Sequence, residues 1–288
     1  MIRLIASDID GTIINENHVM TKETAELLRK LTDYDIHFVL ATGRAYSGAK
    51  EIYDQVGFKD ENNGIICLNG LQSYNFLTDE KSELTSLTIE DCYNIEEVGK
   101  QYYMGILYCF DETIYLQMDE RSFEDFALSG SRGKFRYFRE DANLNRINSF
   151  QEIESKVSDG NMISKIVFVQ SDDYLDLVAP RINRQFVGKF NFMMVAKGWA
   201  EIIPTYINKG NALKDYADSL GIDMDEVIAF GDAENDLSML AAASIGVAMG
   251  NALESVKEIA DEVGLANSEN GVIVKIKELM KRINNVSL

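Results

Sequence analysis

The sequence predicts an α/β protein: a doubly wound, mainly parallel sheet interrupted by an inserted α+β module. Three observations carry this. Near both ends of the chain, short apolar runs that read as strands buried on both faces alternate with helical patterns. In the middle the rhythm changes to hairpin-paired strands with a few helices. The chain, at 288 residues, also exceeds one average domain.

The first strand organises the rest. Arg3 to Thr12 reads RLIASDIDGT, an apolar run ending in Asp8 and Asp10, then Gly11 and Thr12. Carboxylates at the carboxyl end of a buried parallel strand lie where open α/β sheets place ligands. Two of them, two apart and joined by a turn, offer one side chain as metal ligand and nucleophile and the other as acid/base. Asp-Gly is equally a hairpin signal, and these residues alone leave both readings open.

Downstream, Thr21-Lys22-Glu23-Thr24 caps a helix whose Ala25, Leu27, Leu28 and Leu31 recur at helical spacing. Ile36 to Ala41 is a second strand, ending in Thr42-Gly43-Arg44. A helix from Ala45 to Val56 stops at Gly57. Ile65 to Leu68 is a third strand, and Asn69-Gly70 turns it into Gln72 to Phe76. This order indicates right-handed crossovers in a parallel sheet.

From Leu84 the pattern is a helix over Asp91–Tyr102, then Gly105–Phe110 and Thr113–Met118 around an Asp111-Glu112 turn. A polar stretch covers Gly130–Asn148. Strand Ser164–Gln170, helix Asp172–Phe186 and strand Lys189–Val195 follow. The α/β rhythm resumes at Ala200 with AEIIP, helix Gly210–Leu220, strand VIAFGD, helix Asp236–Ala242 and strand IGVAM. Helix Leu253–Ile259, strand Val263–Ala266 and helix Gly271–Ile283 complete it. The expected domains are residues 1–84 and 197–288 for one core, with 85–196 inserted.

Composition narrows the function. Hydrophobic residues make up 46% and charged residues 26%, as in an ordinary globular protein. No run reaches the roughly 18 apolar residues of a membrane span, and the N-terminus lacks a signal-peptide pattern, so a cytoplasmic location is expected. Cys67, Cys92 and Cys109 have neither zinc nor disulfide spacing and read as small buried hydrophobes. The net charge of −19 disfavours nucleic acid and anionic membranes. A phosphorylated substrate then requires local positive charge from a cation, a lysine or helix N-termini. Oligomeric state is left open.

Four polar clusters follow strands or start helices: Asp8 with Asp10, Thr42-Gly43-Arg44, Lys209-Gly210-Asn211, and Gly231 to Asp236. Singly each has a plain alternative. Thr42-Gly43 fits an ordinary strand-to-helix turn, Lys209 a solvated lysine, and Asp232 and Asp236 helix-start acids. His18 and His37 lie outside all four and read as surface or edge residues. In order, DIDGT, TGR, NKGNAL and GDAENDLSML resemble the four motifs of the haloacid dehalogenase superfamily of phosphohydrolases. The inserted module is similar to the cap of its Cof-type branch. Asn69-Gly70, Gly250-Asn251-Ala252 and Glu269-Asn270-Gly271-Val272 support the resemblance. Tyr206 departs from it, standing where the family often has glycine.

The resemblance implies a Rossmann-like core, a cap acting as a lid, and a Mg²⁺-dependent phosphatase of a small phosphorylated metabolite. Asp8 would attack phosphorus and form an aspartyl-phosphate; Asp10 would protonate the leaving oxygen and then deprotonate water. Asp8, the main-chain carbonyl of Asp10 and Asp232 would hold Mg²⁺. Thr42, the amides of Ile9 and Gly43, Lys209 and Asn235 would contact phosphoryl oxygens. Arg44 and Asp236 are candidates for support or substrate contact. A phosphomutase using the same chemistry is the alternative, kept in view by basic Arg132, Lys134, Arg136, Arg139 and Arg146 in the inserted module. A non-enzymatic binding protein on the same fold is the third reading; it would need neither Asp8 nor Asp10.

Overall fold

In the computed structural model, residues 1–58, 63–84, 87–110, 113–123 and 143–286 are described. The chain divides into two units: Met1–Leu84 with Tyr206–Leu288, and Thr85–Thr205.

The first unit begins with β1 (Leu4–Ser7), every residue of which is buried. Helix α1 (Lys22–Leu31) starts at Thr21, whose side chain accepts from the Thr24 N–H as its cap pattern predicts. It buries Leu27, Leu28 and Leu31 against the sheet side of the core; full burial of such a side chain contributes about 1.5–3 kcal/mol. Then come β2 (His37–Ala41), α2 (Tyr46–Val56) and β3 (Asn63–Cys67). Gly57 ends α2 in the left-handed conformation, at φ 66°. The Asn69-Gly70 turn leads antiparallel into β4 (Gln72–Asn75), and β5 (Glu80–Glu83) closes that edge. All four β5 residues are exposed and three of them are charged, which discourages pairing with another chain.

The second unit holds α3 (Ile89–Gln101), β6 (Gly105–Cys109), β7 (Thr113–Gln117), β8 (Asn143–Ile147) and α4 (Glu154–Ser158). After these come β9 (Lys165–Val169), α5 (Asp172–Phe186), β10 (Phe190–Ala196) and β11 (Trp199–Pro204). Its sheet runs β10-β11-β9-β6-β7-β8, antiparallel except where β7 and β8 pair in parallel. Asp111, Glu112 and most of the polar stretch after Gly130 lie outside the described residues.

One expected element belongs elsewhere. The AEIIP strand, assigned to the core with a boundary at residue 197, is β11 of the second sheet, paired antiparallel with β10 and β9. Lys197-Gly198, with Gly198 at φ 66°, makes β10 and β11 a local hairpin, and the expected boundary cuts that hairpin. Glu201 on β11 is also ion-paired with Lys165 on β9.

The chain returns to the first unit with α6 (Lys209–Ser219), β12 (Val227–Gly231), α7 (Leu237–Ala242) and β13 (Ile245–Ala248). Short α8 (Glu254–Lys257), β14 (Glu262–Val263) and α9 (Gly271–Leu279) finish it. The strand order is β14-β13-β12-β1-β2-β3-β4-β5, parallel from β14 through β3. The chain therefore leaves β1 toward β2 and β3 and later resumes on its other side at β12. That reversal makes the carboxyl ends of β1 and β12 the switch point of the sheet, where such folds open a crevice for ligands. All three cysteines are free and buried. Among the described residues no helix is long and apolar enough to cross a membrane.

Candidate active site

Each site residue is delivered by the end of a buried strand or the start of a helix. Asp8 follows β1 directly, its N–H donating to Phe230 O on β12 at 3.0 Å. The chain then makes a single wide turn over Ile9–Ile13 rather than the hairpin that Asp-Gly also allowed, with Gly11 at φ 79°. A Cβ on Gly11 would stand 2.3 Å from Asp232 Oδ2, so this position requires glycine for the close approach as well as for φ. Asn251 Nδ2 donates to Gly11 O at 2.8 Å and pins the turn from the side of β13.

Lys209 opens α6 and is wholly buried, which removes the solvated-lysine alternative. Its Nζ donates to Asp8 Oδ1 and to Asp236 Oδ1, each at 2.6 Å. Asn208 caps the helix by accepting from the Asn211 N–H, and Gly210 N donates to Ser238 Oγ at 3.1 Å. A Cβ on Gly210 would lie 2.3 Å from Ser238 O, so glycine lets α6 seat its first turn against α7.

Asp236 is the support of the fourth cluster. Its Oδ2 accepts from the N–H groups of Asp232 and Ala233 at 2.9 and 3.0 Å, while Oδ1 takes Lys209. Asp232 is less buried, and Thr12 Oγ1 donates to its Oδ1 at 2.9 Å.

The electrostatics follow from that crowding. Burial, reinforced by Asp236 and Asp232 and opposed by Lys209, pushes the Asp8 carboxyl up to about 8. Burial likewise pushes Asp232 up to about 6, against its bond from Thr12. Burial alone would favour a neutral Lys209 amine, but Asp236 and Asp8 outweigh it and hold the group above lysine's ordinary range. Lys209 is therefore an ammonium, and its short bonds to Asp8 and Asp236 are charge-assisted from the donor side.

Carboxylate oxygens of Asp8, Asp232 and Asp236 lie within 4.8 Å of one another. Both oxygens of Asp236 already accept protein hydrogen bonds, which leaves Asp8 and Asp232 as the carboxylates with room for a cation. Their raised proton affinities come first from burial and then from the neighbouring acids, which the single ammonium opposes. An all-oxygen donor set of this kind fits a hard divalent ion.

The other expected residues form a second group in the same unit. Arg44 meets Asp10 side-on, Nε to Oδ2 at 2.7 Å and Nη2 to Oδ1 at 2.5 Å. Thr42 is buried and its Oγ1 accepts from Arg44 N at 3.1 Å. Gly43 faces Asn69, whose Oδ1 accepts from Asn235 Nδ2 at 2.9 Å. Ile9 is buried at the start of the wide turn. Asn69, Thr12, Asn251 and His18 were not singled out as site residues. Asn69-Gly70 carried a usable signal, since Asn69 sits at φ 56° where asparagine is favoured. His18 carried none, yet its Nδ1 lies 3.8 Å from Asp10 Oδ1.

Of the basic residues that kept a mutase in view, Arg132, Lys134, Arg136 and Arg139 lie outside the described residues. Arg146 is ion-paired with Glu120 at 3.0 Å and lies over the Phe123 ring. No described contact favours the mutase.

Acids and a buried ammonium gathered at the switch point of a parallel sheet are the equipment of a hydrolase that acts on phosphoryl groups. The chain belongs to the haloacid dehalogenase-like hydrolase family, whose model matches residues 5–276, and to its Cof-type, subclass IIB branch. It is a phosphatase of that family. It is 29% identical over 303 residues to phosphatase YwpJ of Bacillus subtilis, covering 96% of this chain and 100% of that one. It is 28% identical over 279 residues to the 5-amino-6-(5-phospho-D-ribitylamino)uracil phosphatase YitU of the same organism, covering 96% of each. A solved haloacid dehalogenase-like hydrolase from B. subtilis has the same fold, with a TM-score of 0.75 at 27% identity over 98% of this chain and 100% of that one.

Proposed function

We propose that the protein is a Mg²⁺-dependent phosphatase of a small phosphorylated metabolite, a sugar phosphate or a nucleotide or cofactor phosphate, working through an aspartyl-phosphate at Asp8. The observation that carries this reading is Lys209, wholly buried, with its ammonium 2.6 Å from Asp8 Oδ1 at the carboxyl end of β1. A carboxylate attacks a phosphate dianion only where fixed positive charge offsets their repulsion. The name of YitU, a phosphatase of a phosphorylated ribityl compound, supports the substrate class.

Asp8, Asp232 and the Asp10 main-chain carbonyl would hold Mg²⁺, which when bound supplies positive charge against the phosphoryl oxygens. Asp8 attacks phosphorus in line with the leaving oxygen, which takes a proton from Asp10 as the P–O bond breaks. Asp10 then takes a proton from the water that attacks the aspartyl-phosphate, releasing inorganic phosphate and restoring Asp8. Lys209, Thr42 and the amides of Ile9 and Gly43 stabilise the negative charge spreading over the phosphoryl oxygens, with Asn235 beside them. Asp236 keeps Lys209 and the Asp232 loop in place.

The test is a panel of phosphorylated metabolites hydrolysed with Mg²⁺ by wild type and by Asp8→Asn. Release of phosphate from at least one member by wild type alone is expected. Comparable turnover by a folded Asp8→Asn protein would sink the proposal, as would an inactive wild type across the panel.

A further inference from the structure

Asp10 has to carry a proton to one oxygen and take one from another, yet its side chain is 46% exposed and lies outside the buried acid cluster. A half-exposed carboxylate on a turn rotates freely unless something holds it. Proton transfer in a displacement is sensitive to placement at the ångström level. Arg44 reaches Asp10 through two parallel bonds, Nε to Oδ2 at 2.7 Å and Nη2 to Oδ1 at 2.5 Å. Such a fork fixes the plane of the carboxylate as well as its distance.

Arg44 is itself held from several sides. Its N–H donates to Thr42 Oγ1 at 3.1 Å, its carbonyl accepts from Leu68 N at 3.0 Å, and Nη1 donates to Gly48 O at 3.4 Å. The His18 imidazole is 3.8 Å away on a side chain 77% exposed, too far and too free to orient anything.

We infer that Arg44 is the positioning residue for Asp10: it aims the carboxyl at the leaving oxygen and acts on the reaction only through it. This rests on the phosphatase reading above. Because the contact is side-on, the bond from Nη2 can open to present Oδ1 while the bond from Nε keeps Oδ2. Arg44 gives up no proton. With both oxygens accepting from Arg44, Asp10 is the carboxylate. Once Nη2 lets go, Oδ1 holds the proton taken from the water of the preceding dephosphorylation, and that proton moves to the leaving oxygen as its bond to phosphorus breaks.

A residue that acts through the general acid matters only when the leaving group needs a proton. A residue that binds the phosphoryl group directly matters equally for every leaving group. The experiment is kcat/KM of the full chain with Mg²⁺ on aryl phosphates running from p-nitrophenyl to phenyl phosphate, for wild type, Arg44→Gln, Arg44→Lys, Asp10→Asn and Asp10→Asn/Arg44→Gln. Arg44→Gln should lose about 10²-fold on phenyl phosphate and only a few fold on p-nitrophenyl phosphate, the span general acid catalysis commands. Asp10→Asn should show the same dependence, and adding Arg44→Gln to it should cost nothing more. Arg44→Lys, which keeps the charge and loses the fork, should recover only part and carries the same test should Arg44→Gln fold poorly. A uniform loss along the series, additive losses in the double variant, or full recovery by lysine would each overturn the role. Wild-type turnover that vanishes in Asp8→Asn tests the phosphatase reading separately. A wild type inactive on this series and on the metabolite panel alike defeats that reading, and the role of Arg44 with it.

Discussion

Replacing Asp236 by alanine should unfold the first unit far more readily than replacing Asp10, although both changes delete one carboxylate from the same site. Asp236 has no solvent exposure. It accepts a 2.6 Å bond from Lys209 and bonds of 2.9 and 3.0 Å from the N–H groups of Asp232 and Ala233. Its loss leaves a buried ammonium with Asp8 alone and two main-chain donors without their acceptor. Removing one partner of a buried ion pair costs about 3–5 kcal/mol. That is a large share of the roughly 5–15 kcal/mol that holds a domain together. The midpoint should fall by on the order of 10 °C. The Asp10–Arg44 pair is partly solvated, worth about 0–1 kcal/mol, so Asp10→Ala should shift the midpoint by no more than about 3 °C. Calorimetry at constant pH without divalent cations measures both. Trp199, the single tryptophan, sits in the second unit and reports by fluorescence whether that unit is spared. Equal shifts for the two variants, or an unchanged midpoint in Asp236→Ala, would refute the supporting role given to Asp236.

Lys209→Ala should lower kcat/KM by on the order of 10²-fold or more, like loss of one oxyanion donor. Lys209→Arg should recover only part, because the guanidinium is not a compact point charge; wild-type kinetics in Lys209→Ala would strike the lysine from the mechanism. EDTA should abolish activity and Mg²⁺ restore it, whereas Ca²⁺, with its looser coordination, should inhibit. Full activity after exhaustive chelation would contradict the role given to Asp232.

Much of this was legible because strand ends announce themselves. Buried parallel strands read as continuous apolar runs, and the polar residues that break them at Asp8, Thr42 and Asp232 are the ones the sheet gathers at its switch point. Side-chain partnerships were not legible, since no local pattern encodes them. Asp236 looked like a helix-start acid, and only folding brings Lys209 to it across 27 residues of sequence. Asn69 and Asn235 meet across 166 residues, and Arg44 finds Asp10 across 34. The misplaced strand has a different cause. An apolar run such as AEIIP has the same pattern in either sheet, and hairpin pairing through Lys197-Gly198 decided which one it joined.

That Asp8 is the nucleophile is tested most directly on the phosphorylated enzyme itself. The protein is mixed with Mg²⁺ and its best substrate from the panel, quenched in acid during turnover, digested and analysed by mass spectrometry. One added phosphoryl group is expected on the peptide bearing Asp8, absent from Asp8→Asn and from enzyme quenched before substrate is added. A phosphoryl group found on another residue, with Asp8 unmodified throughout turnover, would contradict it.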